Sequence, residues 1–368
     1  MLTARLKETR QSKRSPAHKI DKAFTTLMPP VYFYIPLEDW PSYKIPQFKK
    51  AVDVSSYLQN VCIVPTCVGT IYSWILQTYL WLKINDFPCK LTGVLPSKGI
   101  VITYWQSIPI DFKPSPKLLV VSVLADGVYP HPYTQLRVVQ NPQQSLFFSN
   151  SYYIPHWPQP GMIPRSPSRA DRFENIGFFG AISNLSPELK SLSWQSQLEK
   201  LGLKWSIVKP NYWNDYSNID AVLAVRDFEK RDYFQKPATK LFNAWHSGVP
   251  AILGCESAFQ AERKSDLDYI EVSSADEVIA ALKRLRDDAN LRQEMIENGR
   301  LRAQETSIKS LTARWRDFIT QVALPAYEDW CSASYLNQQS LFIQRFLAKK
   351  IDGIDHRFKK IFTAARDC

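Results

Sequence analysis

The sequence lacks several features that would fix its class at once. None of its six cysteines forms a Cys-x-x-Cys pair, and no His/Cys grouping has zinc spacing. Neither a disulfide scaffold nor a structural zinc site is therefore expected, and the cysteine pattern fits a reducing compartment. No apolar run reaches the roughly 20 residues that span a bilayer. The most apolar stretch, residues 71–84, falls short of that and contains Gln77 and Thr78. The opening residues lack the apolar core of a signal peptide. Acidic side chains are in deficit: 35 Asp and Glu stand against 46 Lys and Arg, a net charge of +11. That balance points to anionic partners. The expected setting is cytoplasmic, with peripheral contact on the inner face of an anionic membrane as an alternative location.

With 368 residues, 45% of them hydrophobic, the chain can build two cores of ordinary domain size. Residues 1–28 are basic without apolar periodicity and read as a mobile tail. Short β-branched runs then recur at 31–36, 60–65, 90–96, 99–105, 117–126 and 136–141, with a long helix expected over 70–83. Strand, glycine turn and helix are the unit of a doubly wound sheet, so residues 29–155 are assigned to a first Rossmann-like domain. Gly69 and Thr70 sit at its turn, where ligands bind outside the strand ends; a plain turn glycine is the other reading of Gly69. Asp126 closes the strongest strand, either facing a cleft or capping the next turn. Residues 156–173 are proline-rich and read as an inter-domain linker. His156, Gln159 and Arg165 give it more polar content than a spacer needs. With an ordinary pKa near 6.5, His156 suits acid–base work, and a structural role beside Trp157 is the alternative.

Residues 174–325 are assigned to a second domain of the same kind. Gly180 ends its first strand, and Arg226 ends a later one. Arg226 either reaches a ligand or pairs with Asp227 or Glu229. The stretch from Lys236 to Phe259 organises this half: a helix with Pro237 as its first residue, stopped by Gly248 and Pro250, then a buried strand AILG. Lys236, Lys240, Asn243 and Ser247 lie three or four apart and share a face. A helix N-terminus carrying two lysines is an anion site, because free N–H groups, the helix dipole and two ammoniums converge. The other reading is a solvated amphipathic face. Glu256 follows the strand and is placed to approach the same ligand, whereas the Asp-x-Asp at Asp266–Asp268 lies in a polar loop and is assigned no metal. Residues 326–368 read as amphipathic helices with a basic side. Their apolar side fits the first domain or an anionic membrane surface.

The stretch KPATKLFNAWHSGVPAILG resembles the donor-binding helix of glycosyltransferases with two Rossmann-like domains, the GT-B fold. NIGFFGAISN resembles the first strand and loop of their donor domain, and QTYLWL and IPHWPQPG are similar to parts of bacterial members. The resemblance implies a nucleotide-sugar donor as co-substrate, a glycan or lipid-linked acceptor, no cofactor, no metal and no nucleic acid partner. Many members carry a Glu-x7-Glu pair at this helix; here the positions hold Gln235 and Asn243. An amide still hydrogen-bonds a ribose hydroxyl. The implied donor contacts are Gly180, Arg226, Lys236, Lys240, Asn243, Ser247 and Glu256. His156 and Asp126 are the acid–base candidates, and Gly69, Thr70, Gln159 and Arg165 the acceptor-side ones. Two other functions fit the same residues: a basic module that binds an anionic polymer without catalysis, and a nucleotide-sugar epimerase.

Overall fold

The structure is a computed structural model, and residues 28–41, 45–62, 70–109, 111–127, 131–147, 150–229 and 231–347 are described. Gly69 and the basic tail before residue 28 lie outside the described residues. Two parallel sheets divide the chain. The first contains β1 (Val31–Tyr34), β2 (Cys89–Thr92), β3 (Gly99–Tyr104), β4 (Leu118–Val123), β5 (Leu136–Val139) and β6 (Ser151–Tyr153), in the order β2-β1-β3-β4-β5-β6. The second contains β7 (Asn175–Phe179), β8 (Lys204–Val208), β9 (Ala221–Ala224), β10 (Ala251–Gly254) and β11 (Ile270–Val272), in the order β11-β10-β9-β7-β8. Every pairing in both sheets is parallel. All residues of β3 and β4 are buried, as expected for strands covered on both faces.

The order of each sheet reverses beside its first strand, between β1 and β3 and between β7 and β9. Such a switch point opens a crevice at the carboxyl ends of the strands. Gly180 follows β7, and Arg226 lies two residues beyond β9, so the second sheet brings both to its crevice. This is the two-domain doubly wound architecture expected from the sequence.

One early assignment changes. Residues 60–65 were expected as a strand, but α1 (Ala51–Cys62) occupies the start of that stretch. Val54, Leu58 and Val61 are buried at helical spacing, and that period outweighs the β-branched run. The predicted helix at 70–83 is present as a π-helical segment, Tyr72–Leu76, continuing into α2 (Gln77–Ile84). A short α3 (Gln144–Phe147) precedes β6.

In the second domain, α4 (Leu192–Lys200), α5 (Thr239–Ser247), α6 (Ser257–Glu262), α7 (Ala275–Asp287) and α8 (Ala289–Ala303) surround the sheet. Their core runs from Phe178 and Leu223 to Leu241, Ile252, Leu282 and Met295. After Thr306 the chain returns to the first domain. Leu311 and Trp315 of α9 (Ile308–Asp317), with Leu324 and Trp330 of α10 (Leu324–Ser332), join the core that holds Phe33, Ile102 and Val121. A last helix, α11, covers residues 335–347.

Candidate functional site

The site is built on the N-terminus of α5. The helix begins at Thr239, two residues after Pro237, because Ala238 (φ −79°, ψ 28°) lies outside the helical region. No side chain caps this end, so its first N–H groups stay available to a ligand. Leu241, Ala244 and Trp245 are buried, and Gly248 closes the helix in the left-handed conformation at φ 69°. That conformation favours glycine, and the N–H groups of Gly248 and Val249 return to the carbonyls of Trp245 and Ala244.

Three cations gather there. Lys240 passes beside Gly180: a Cβ built on that glycine would lie 3.3 Å from the lysine Cε. The ammonium stands 5.5 Å from the Phe178 ring centre. Burial pushes the Lys240 pKa down to about 8. Arg226 and Lys236 add to the fall, while Glu256 and Asp126 oppose it. Arg226 pairs with Glu256 at 2.9 Å and donates to Asn184 Oδ1 at 2.5 Å. Glu256 is thereby committed to Arg226; Asp227 and Glu229, the surface partners considered for Arg226 from sequence, pair with Arg231 instead. Lys236 reaches across to the first domain, where its Nζ lies 3.2 Å from Asp126 Oδ1.

Between these groups and the first domain lies a cavity of about 690 Å³. Thr70, Trp74, Asp126, His156 and Gln159 line one side; Gly180, Val208, Lys209, Trp213, Pro237 and Thr239 line the other. Asp126 follows β4 at φ 58°, a rare backbone setting for a residue with a side chain, and such outliers concentrate at functional sites. His156 Nδ1 bonds the Trp157 carbonyl, and its ring meets Trp74 edge-on at 4.1 Å. With Nδ1 as the donor, Nε2 is the acceptor of the neutral imidazole. Burial lowers the His156 pKa to about 4, against upward pulls from the Trp157 carbonyl and Asp126. The ring is neutral at physiological pH and retains a lone pair for a proton.

Three candidates are placed elsewhere. Asn243 Oδ1 accepts from the Gln159 N–H at 3.3 Å, and its side chain also bonds Tyr216. Ser247 gives its carbonyl to the Arg165 N–H and its hydroxyl to Met162 Sδ. Arg165 binds Asp220 at 2.8 Å. Ser247 and Arg165 line a separate cavity of about 470 Å³ away from the cleft. The reason is common to all three. The linker lies along the polar face of α5, so beyond the first turn that face meets the chain's own backbone. The Asp-x-Asp is likewise internal: Asp268 holds Arg302, Asn298 and two backbone N–H groups, and Asp266 pairs with Arg263.

The sequence reading missed Asn184, Trp74, Trp213 and Asn141. Asn141 donates from Nδ2 to Ser257 Oγ at 2.9 Å and to the Lys236 carbonyl, joining the two domains beside the site. A polar residue closing β5 and a polar turn after Gly180 were the available signals for Asn141 and Asn184. Nothing local marks the two tryptophans, whose place depends on contacts distant in sequence.

No family model matches the chain, and no curated protein matches it. Solved structures do. The Anabaena Alr3699/HepE structure in complex with UDP-glucose is 8% identical, covers 80% of this chain and all of its own, and superposes with a TM-score of 0.45. A glycosyltransferase from Rickettsia africae ESF-5 is 9% identical over 84% of this chain and all of its own, with a TM-score of 0.43. WaaG, a glycosyltransferase involved in lipopolysaccharide biosynthesis, is 12% identical over 79% of this chain and 99% of its own, with a TM-score of 0.40.

Proposed function

We propose that this protein is a glycosyltransferase that moves a sugar from a nucleotide-sugar donor to a glycan or lipid-linked acceptor, with no metal required. One observation carries the reading: Arg226, Lys236 and Lys240 gather at an uncapped helix N-terminus beside Gly180, and Gly180, Pro237 and Thr239 at that end line the inter-domain cavity. Burial disfavours the Lys240 ammonium, Arg226 and Lys236 add to that cost, and Glu256 and Asp126 offset only part of it, so an arriving anion relieves it. A departing nucleoside diphosphate supplies that anion. The lysines and the free N–H groups of the first turn of α5 stabilise its growing charge, and Arg226, fixed by Glu256 and Asn184, adds a third cation. His156 takes the proton of the acceptor hydroxyl at Nε2, and Asp126 stabilises the imidazolium that results. The protein acts at the cytoplasmic side.

Titration calorimetry with UDP and GDP, run against single-stranded oligonucleotides, tests the reading. Nucleotide binding lost in Lys240→Ala is the expected result. Unchanged nucleotide affinity and turnover in that variant would refute it, and preferential oligonucleotide binding would favour a non-catalytic basic module. Product analysis separates the remaining alternative, since an epimerase returns an intact nucleotide-sugar and a transferase releases the diphosphate.

A further inference from the structure

The cavity of about 470 Å³ that holds Arg165 and Ser247 shares no lining residue with the cleft. Its walls come from the linker (residues 164–173), from the end of α5 with Gly248 and Pro250, and from one side of α8. That volume is in the range of small-molecule sites.

Four guanidiniums stand on the wall: Arg165, Arg172, Arg292 and Arg300. Two carboxylates accompany them, Asp171 and Asp220. Asp220 is already taken by Arg165 and Arg169. Among the described residues no ion pair engages the other three arginines, and none engages Asp171. With Asp171 set against one of the three, at least two positive charges stand in excess. A phosphate monoester carries about two negative charges at neutral pH.

Two of these guanidiniums are also held in place. Arg292 donates to the carbonyls of Leu285 at 2.5 Å, Arg286 at 2.9 Å and Asp171 at 3.0 Å, and it lies over the Phe173 ring, 5.4 Å from the ring centre. Arg172 donates to the carbonyls of Ser168 at 2.9 Å and Arg169 at 3.3 Å. Carbonyls fix a guanidinium without cancelling its charge. Each guanidinium has five N–H groups, so both keep donors to spare. Planar forks with unspent donors suit phosphate oxygens. The Arg300 side chain is exposed and has no partner among the described residues. Phe173, Pro167 and Ile296 add apolar surface to the same wall. Ala170, also on it, has φ 43°, a strained setting of the kind that clusters at ligand clamps.

We propose that this cavity binds a small phosphate monoester. Arg172, Arg292 and Arg300 take the phosphate, and the carbon body lies against Phe173 and Ile296. The bound ester ties the linker to α8. This inference is independent of the sugar-transfer reading, because the cavity contributes nothing to the cleft.

Titration calorimetry of the full chain with glycerol 3-phosphate tests it, at fixed ionic strength and with glycerol as the uncharged control. The ester should bind the wild type and, with the same affinity, Lys240→Ala, which removes a cation of the cleft. Arg172→Gln with Arg292→Gln should weaken binding about tenfold or more. Arg300→Gln should weaken it several-fold and leave thermal unfolding of the free protein unchanged, which separates lost binding from lost folding. Inorganic phosphate should bind more weakly than the ester, and equal binding of the two would overturn the carbon-bearing ligand in favour of free phosphate. No binding of the ester by the wild type overturns the proposal. Binding that vanishes in Lys240→Ala also overturns it, since the cleft would then hold the anion, as does an affinity unchanged in the arginine variants.

Discussion

Lys240 is where binding and stability pull apart. Its folded-state pKa, about 8, lies below its ordinary value of 10.5. Between those values the unfolded chain binds more protons than the folded one, so stability rises with pH across that window. At neutral pH the charged ammonium is a burden. Lys240→Met should therefore raise stability at pH 7 by about 1–2 kcal/mol and abolish nucleotide binding; thermal unfolding and calorimetry on the same sample measure both. A variant that loses stability would show that the ammonium contributes to the fold. In the wild type, nucleotide affinity should fall as pH passes about 8, because an anion binds the protonated form. His156 is depressed as well, from 6.5 to about 4, and its contribution is lost as pH falls from 6.5 towards 4. His156→Gln should flatten the acid side of the stability profile. At this scale the site was partly legible. That Gly180, Lys236 and Lys240 come together could be read, because turn and helix-terminus chemistry is local. Ser247 and Arg165 could not, since their partners arrive from another part of the chain.

The linker and α5 behave as one element. Asp220, just before β9, clamps the linker to the second sheet: its carboxylate accepts from Arg165, from Arg169 at 2.6 Å, and from the N–H groups of Glu174 and Asn175. Burial would raise its pKa, but these donors outweigh burial and hold it below the usual carboxylate value. Its contribution is present above about pH 4 and lost as acid protonates it. Asp220→Ala removes the buried carboxylate that Arg165 and Arg169 share and should destabilise the fold by about 3–5 kcal/mol at pH 7, measured by urea unfolding. A loss under about 1 kcal/mol would show that the clamp is dispensable. Gly180→Ala probes the turn above it. The added methyl meets the Phe178 ring at 3.0 Å and Lys240 Cε at 3.3 Å, so it displaces the lysine more readily than the backbone. Nucleotide affinity should drop with little change in melting temperature, and the reverse pattern would remove Lys240 from the binding site. The strands were legible because buried parallel strands are continuous apolar runs. The stretch at 60–62 was not, because the end of α1 and a short buried strand look alike over a few positions.

The whole molecule shares its cores unequally. The second core is drawn from residues 173–303, whereas the first needs Leu311, Trp315, Phe318, Ile319 and Trp330 from beyond the second domain. A fragment of residues 170–303 should unfold cooperatively in circular dichroism, and one of residues 28–170 should not. Cooperative melting of the shorter first-domain fragment would show that the returning helices are accessory. Sequence indicated that late amphipathic helices fit the first domain, and placed them from residue 326. The return begins at 308, because an amphipathic helix does not declare which core it will cover.

The chain passes between its lobes twice, through residues 158–163 and 304–308. Pro158, Gly161, Ser307 and Ile308 wall one cavity of about 510 Å³ together with His246, and His246 touches Thr306 at 3.0 Å. A lobe on one tether can tumble, but a lobe on two adjacent tethers swings like a door about the line through them. A rotation about that line would part Asp126 from Lys236 and widen the mouth of the cleft in a single movement.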